Sequence, residues 1–153
     1  TQSELLGFKS QFLKFDDILL SDSIAVSIQK VALTGILKGT IKGSQLLFMP
    51  DSTVSTEDIR LPVKEFYSRS QIWFLDHKAE KLTLGDVLGL IKFTANRGKE
   101  LNQEVENGWN SSLKLKGKFD LNRYVTRKEL ARLFDIYLKP FDRAIDINGN
   151  LKS

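Results

Sequence analysis

The sequence predicts a mostly α fold with short β hairpins, built as two helix–hairpin–helix units packed into one domain. Three observations carry that expectation. Three short segments share a helix-start pattern, apolar stripes at helical spacing follow them, and a long eleven-residue template occurs twice. Residues 48–58 read FMPDSTVSTED and residues 119–129 read FDLNRYVTRKE. Each places Phe, five residues, Val, a hydroxyl residue, two residues and an acid in that order. Each copy marks the place where a short β segment passes into the second helix of a unit. Neither unit is large enough to bury its own apolar face, so the two are expected to pack together.

The elements follow in chain order. The first helix is expected from about Ser23, with Ile24, Ile28 and Val31 on its inner face and Gly35 as a left-handed stop. The stretch GILKGTIKGSQLLFMP then reads as a hairpin turning near Lys42-Gly43-Ser44. Ser55 and Asp58 make the first capping box: the hydroxyl accepts from the N–H three residues on, and the acid reaches back to the cap's own N–H. Val54 and Ile59 are its hydrophobic staple, and Pro62 predicts either a kink or a late start at that residue. Thr83 and Asp86 repeat the box, with Leu82 and Val87 as the staple and Leu84, Val87, Leu88 and Ile91 as the stripe. The segment 96–112 looks least regular, although Leu101, Val105 and Trp109 at four-residue spacing fit a short helix. In SLKLKGKFDL, Leu113, Leu115, Gly117 and Phe119 alternate with Ser112, Lys114, Lys116 and Lys118, which predicts a strand with one basic face. Thr126 and Glu129 form the third box, stapled by Val125 and Leu130. Leu130, Leu133, Phe134 and Tyr137 continue the helix, to about 138, and Pro140 marks its exit.

Composition narrows the functional classes. The 153 residues include no cysteine, which removes disulfides, thiolate metal sites and cysteine nucleophiles. A chain of this length buries roughly 70% of its unfolded surface, and 41% apolar content suits a real core. No apolar run of membrane-spanning length occurs. The net charge of +4 is mildly basic, with both signs interspersed, as on an ordinary solvated surface. The first residue is Thr1, and the chain reads as a piece of a longer polypeptide or a processed chain, with export to the periplasm or cell envelope favoured.

No reaction is legible. The single histidine, His77, has no second histidine or cysteine to work with, and no Gly-x-Ser-x-Gly elbow occurs. Gly35, Gly39 and Gly43 match neither a dinucleotide fingerprint nor a phosphate loop, so no cofactor is expected in this chain. Asp146, Asn148 and Asn150 alternate like the opening of a calcium loop, but the twelfth position falls past Ser153 and Asn148-Gly149 reads as a turn; no metal site is expected. The best basic patch is Lys114, Lys116 and Lys118 with Arg123 and Arg127. It suits an anionic glycan, a nucleic acid or an acidic partner domain, or simply a lysine-guarded edge. Without interleaved exposed aromatics, a nucleic acid is not the expected partner.

The order Phe15-Asp16-Asp17-Ile18, a helix, Gly35-Ile36-Leu37-Lys38-Gly39, Phe48-Met49-Pro50-Asp51 and then Val54-Ser55 resembles an S-layer homology (SLH) repeat. Val125-Thr126-Arg127-Lys128-Glu129-Leu130-Ala131 is similar to that family's hydrophobic-Thr-Arg-Ala-Glu motif. The resemblance covers residues 15–138, with unit one at about 15–70, unit two at about 82–138 and a tail at 139–153. It implies binding of anionic cell-wall polysaccharide, with Arg127 as a ligand contact. Thr56 and Leu84 occupy the equivalent positions of the other two helix starts, and family members usually carry three repeats. A second likeness, through YLKPFDRAIDINGNLKS, is to the C-terminal domain that follows the catalytic part of certain bacterial FAD-dependent oxidoreductases. It implies a non-catalytic accessory domain docked on another domain of the same polypeptide. The remaining readings are an SLH-like module binding anionic glycan and a small enzyme around His77.

Overall fold

The computed structural model describes residues 13–144. Seven helices and one hairpin appear among these residues: α1 (Ala25–Leu33), β1 (Thr40–Lys42), β2 (Gln45–Leu47), α2 (Thr56–Phe66), α3 (Ser70–Asp76), α4 (Leu84–Ala95), α5 (Glu100–Gly108), α6 (Arg127–Tyr137) and α7 (Pro140–Ala144). The mostly helical class with a short hairpin is therefore observed. Asp146, Asn148 and Asn150 lie outside the described residues, as does most of the 139–153 tail.

Helix α1 ends as its sequence dictates. Gly35 takes φ +85°, a conformation that costs a side-chain-bearing residue about 1 kcal/mol or more. Antiparallel β1 and β2 pair Thr40 with Leu47, Ile41 with Leu46 and Lys42 with Gln45, and Gly43 (φ +61°) opens the two-residue turn. Asp16 and Asp17 clamp the hairpin's outgoing strand. The Asp16 carboxylate accepts the Leu46 N–H at 2.8 Å, and Asp17 accepts those of Phe48 and Met49 at 2.8 and 2.7 Å.

All three capping boxes form, each with both reciprocal bonds: Ser55 with Asp58, Thr83 with Asp86, and Thr126 with Glu129. The staple residues Val54, Ile59, Leu82, Val87, Val125 and Leu130 are all buried. Helix α2 starts at its Ser55 cap and runs through Pro62, so the late start is not adopted. The box supplies the nucleus, and the proline removes only one N–H from the later turns.

A capping box leaves the first two helical N–H groups unpaired. Here the three starts supply them to one another in a ring. The N–H groups of Arg127 and Lys128 in α6 donate to the carbonyls of Ser52 and Pro50, just before α2, at 2.9 and 3.0 Å. Those of Leu84 and Gly85 in α4 donate to Arg123 and Leu121, just before α6, both at 2.9 Å. The N–H of Thr56 in α2 donates to Ala79, just before α4, at 2.9 Å. Leu82 ties the centre, donating to the Val54 carbonyl at 2.7 Å and accepting from Val125 at 3.0 Å. The repeated template thus marks segments that both begin a helix and close the start of another.

One buried apolar cluster runs from Phe15 to Leu138. Helix α4 sits centrally, with Leu84, Val87, Leu88, Leu90 and Ile91 fully buried. It touches α3, α5 and α6, while α1 packs on α6 and α7. Trp73 and Phe74, on a helix that the sequence pattern did not reveal, belong to this core.

The strand expected at 112–121 is absent. Its alternation of burial is real, since Leu113 and Leu115 are buried and Lys114 and Lys116 exposed. The backbone, however, takes φ +56° at Lys114 and +83° at Gly117, which no extended strand tolerates. The segment folds back on α5 instead. Leu113 N–H donates to Gly108 O and Leu115 N–H to Trp109 O, and the side chains of Trp109, Asn110 and Arg132 bind carbonyls of residues 112–117. Side-chain donors replace the partner strand, so the second unit has α5 and a loop where a hairpin was expected.

Candidate anion-binding cleft

Two loops and a helix end surround a cavity of about 410 Å³. Leu19, Ser21, Asp22, Ser23 and Ile24, leading into α1, form one wall; Lys114, Leu115 and Lys116 form another, and Lys128 of α6 completes it. Lys114 reaches this position because its residue is the left-handed one that turns the loop after α5. Its N–H bonds Ser111 O at 3.2 Å, and the bulky Leu113 and Leu115 on either side anchor the loop in the core. Lys128 Nζ lies 3.0 Å from Asp51 Oδ1, an ion pair at the open surface. Asp22 Oδ1 accepts the N–H of Ile24 at 3.1 Å. Helix α1 has no side-chain cap, and its N-cap residue Ile24 borders the cavity.

Of the five basic residues expected to act together, Lys114 and Lys116 share the cleft, and Lys118 does not line it. Arg123 points at Glu129, with Nη2 2.5 Å from the carboxylate, and its guanidinium carbon lies 5.1 Å from the Trp109 ring centre. Arg127 is half-buried. Its Nε donates to Phe48 O at 2.7 Å and its Nη2 to Lys38 O at 2.6 Å. Burial pulls its pKa below the ordinary arginine value, while the carboxylates of Asp58 and Asp17 oppose the shift. Both arginines are thus engaged within the protein. Lys128 was missed because it follows Arg127 inside the helix-start motif, where the arginine drew the assignment. Its position one residue into the helix, on the turn beside Asp51, was the available signal.

His77 sits just past α3. Its Nδ1 lies 2.7 Å from Trp73 O, so that nitrogen carries the proton and donates, and its ring stacks on Trp73 with centroids 3.9 Å apart. Among the described residues no group of three or more His, Cys, Asp or Glu side chains is placed to hold a metal ion. No helix there is long and apolar enough to cross a membrane.

No protein-family model, curated protein or solved structure matches this chain.

Proposed function

We propose that the chain is a non-catalytic interaction domain of a larger bacterial protein, and that it binds an anionic glycan in the Lys114–Lys116–Lys128 cleft. The observation that supports this reading is that three lysines, Lys114, Lys116 and the Asp51-paired Lys128, line one cavity of about 410 Å³. Ammonium groups attract carboxylate or phosphate substituents, and the hydroxyls of Ser21 and Ser23 on the facing wall suit sugar hydroxyls. The SLH-like order of motifs fits a host at the cell envelope. In this reading Arg127, the residue that the resemblance would make a ligand contact, instead ties α6 to the hairpin.

The test is titration of polygalacturonate against the 153-residue chain and against a Lys114→Glu/Lys116→Glu/Lys128→Glu variant. Salt-sensitive binding that falls at least about tenfold in the variant supports the proposal. Binding that survives the triple reversal, or no binding to the parent chain at low salt, rejects it.

The oxidoreductase likeness gives a second reading, an accessory domain docked on a flavin-binding part. The groove between α2 and α3, lined by Arg60, Lys64, Leu75 and Lys78, supports docking of that general kind. A coding frame with Gly-x-Gly-x-x-Gly after a strand upstream of Thr1 would support it.

A further inference from the structure

Helices α2 and α3 enclose a second cavity, of about 310 Å³, that shares no residue with the lysine cleft. Its base is apolar. Phe74 belongs to the core, whereas Leu75 beside it is 68% exposed, a large apolar side chain left in water. Ile72, one helical turn before Leu75, and Leu61 on α2 are also exposed.

The rim is basic. Arg60 and Lys64 stand one turn apart on α2, and Lys78 follows α3. Glu57 is the one acid on the rim, and the Arg60 guanidinium already holds it at 3.0 Å. Lys64 and Lys78 form no ion pair among the described residues. The neighbour of Lys78 is fixed: Ala79 donates to Thr56 Oγ1 at 2.8 Å and accepts from the Thr56 N–H at 2.9 Å. Two unpaired ammonium groups therefore flank an exposed leucine on a backbone held by the helix-start ring.

We infer that this groove docks an acidic, amphipathic protein segment. Such a segment seats an apolar side chain on Leu75 and Phe74 while its carboxylates meet Lys64 and Lys78. Charge complementarity selects this occupant. A glycan would leave the Leu75 side chain uncovered, and a membrane surface calls for a larger cluster of cations. The arrangement is the helix-in-groove mode, with an apolar anchor and a charged rim.

The probe is a labelled synthetic helix of Leu and Glu with the leucines on one face, compared with poly-glutamate and with anionic phosphatidylglycerol vesicles. The expected result is perturbation of wild-type backbone amides in 60–64 and 71–78 by the Leu/Glu helix. Affinity should drop at least about tenfold both in Leu75→Ser and in Lys64→Glu/Lys78→Glu, with unchanged melting temperatures. These results overturn the inference: no perturbation of those amides, equal binding of poly-glutamate, preference for the vesicles, or self-association of the chain through the groove. Binding that maps to Lys114 and Lys116 instead would also overturn it. Because the groove and the lysine cleft share no residue, failure here leaves the glycan test unaffected.

Discussion

The Arg127 guanidinium carbon lies 4.8 Å from the centre of the Phe48 ring, and Nε of the same arginine donates to the Phe48 carbonyl at 2.7 Å. Phe48 opens the first copy of the repeated template, and Arg127 stands near the end of the second. The two copies are therefore bonded to each other directly. Arg127→Ala removes two charge-assisted hydrogen bonds and the ring contact, leaving the carbonyls of Phe48 and Lys38 without this donor. We expect a loss of about 2 kcal/mol in urea denaturation. Arg127→Lys should recover only part of it, since an ammonium cannot reach both carbonyls in the guanidinium's planar geometry.

The caps should be separately measurable. Thr83→Ala leaves the Asp86 N–H without its acceptor at the start of the central helix α4. The expected cost is about 1 kcal/mol, and Thr126→Ala should cost a similar amount. Thr83→Ser, which retains the oxygen, should sit close to the parent in the same denaturation experiment.

Tyr67 gives a pH prediction. Its hydroxyl donates to Leu138 O, and burial pushes its pKa up to about 12, with Arg143 opposing and Asp142 assisting. A folded-state pKa above the unfolded value of 10.0 means that the contribution is fully present below about pH 10. It is lost as pH rises towards 12, because the unfolded chain releases the proton first. The stability gap between the parent and Tyr67→Phe should thus be constant at neutral pH and close across the alkaline range. A gap that stays constant through pH 12 would contradict the burial of this hydroxyl.

Lys114 separates stability from binding. Its φ of +56° is unfavourable for a residue with a Cβ, and no such penalty applies to glycine. Lys114→Gly should stabilise the fold by about 0.5 kcal/mol while weakening polygalacturonate binding. Thermal melts and the titration, run on the same variant, should therefore move in opposite directions.

The same residue shows why part of the fold could be read from sequence and part could not. Capping boxes, staples and the Gly35 stop depend on residues within one or two turns of one another, and each formed as its local chemistry requires. The alternation around Lys114 was also a true burial signal. Alternation, however, reports which side chains face the core, and a loop pressed over a helix produces it as well as a strand does. Deciding between them needed donors outside the segment, Trp109 and Asn110 just after α5 and the distant Arg132 of α6. The short helix α3 was hidden because Trp73 and Phe74 are adjacent, leaving too few turns to display a period. The cleft was half legible. Lys114 and Lys116 were singled out for their charge, but Lys128 joins them only through the packing of α6 against the loops.

The ring of helix starts has a consequence for motion. First-turn amides of a helix ordinarily exchange with solvent readily, because nothing within the helix holds them. In this chain the amides of Leu84, Gly85, Arg127 and Lys128 are each bound to a carbonyl from another start. They should exchange with deuterium as slowly as the interiors of α4 and α6. They should also do so together, because releasing one start withdraws the acceptors that hold the next. The helix ends, normally the first places to fray, would open here only in a concerted event that parts the two copies of the template.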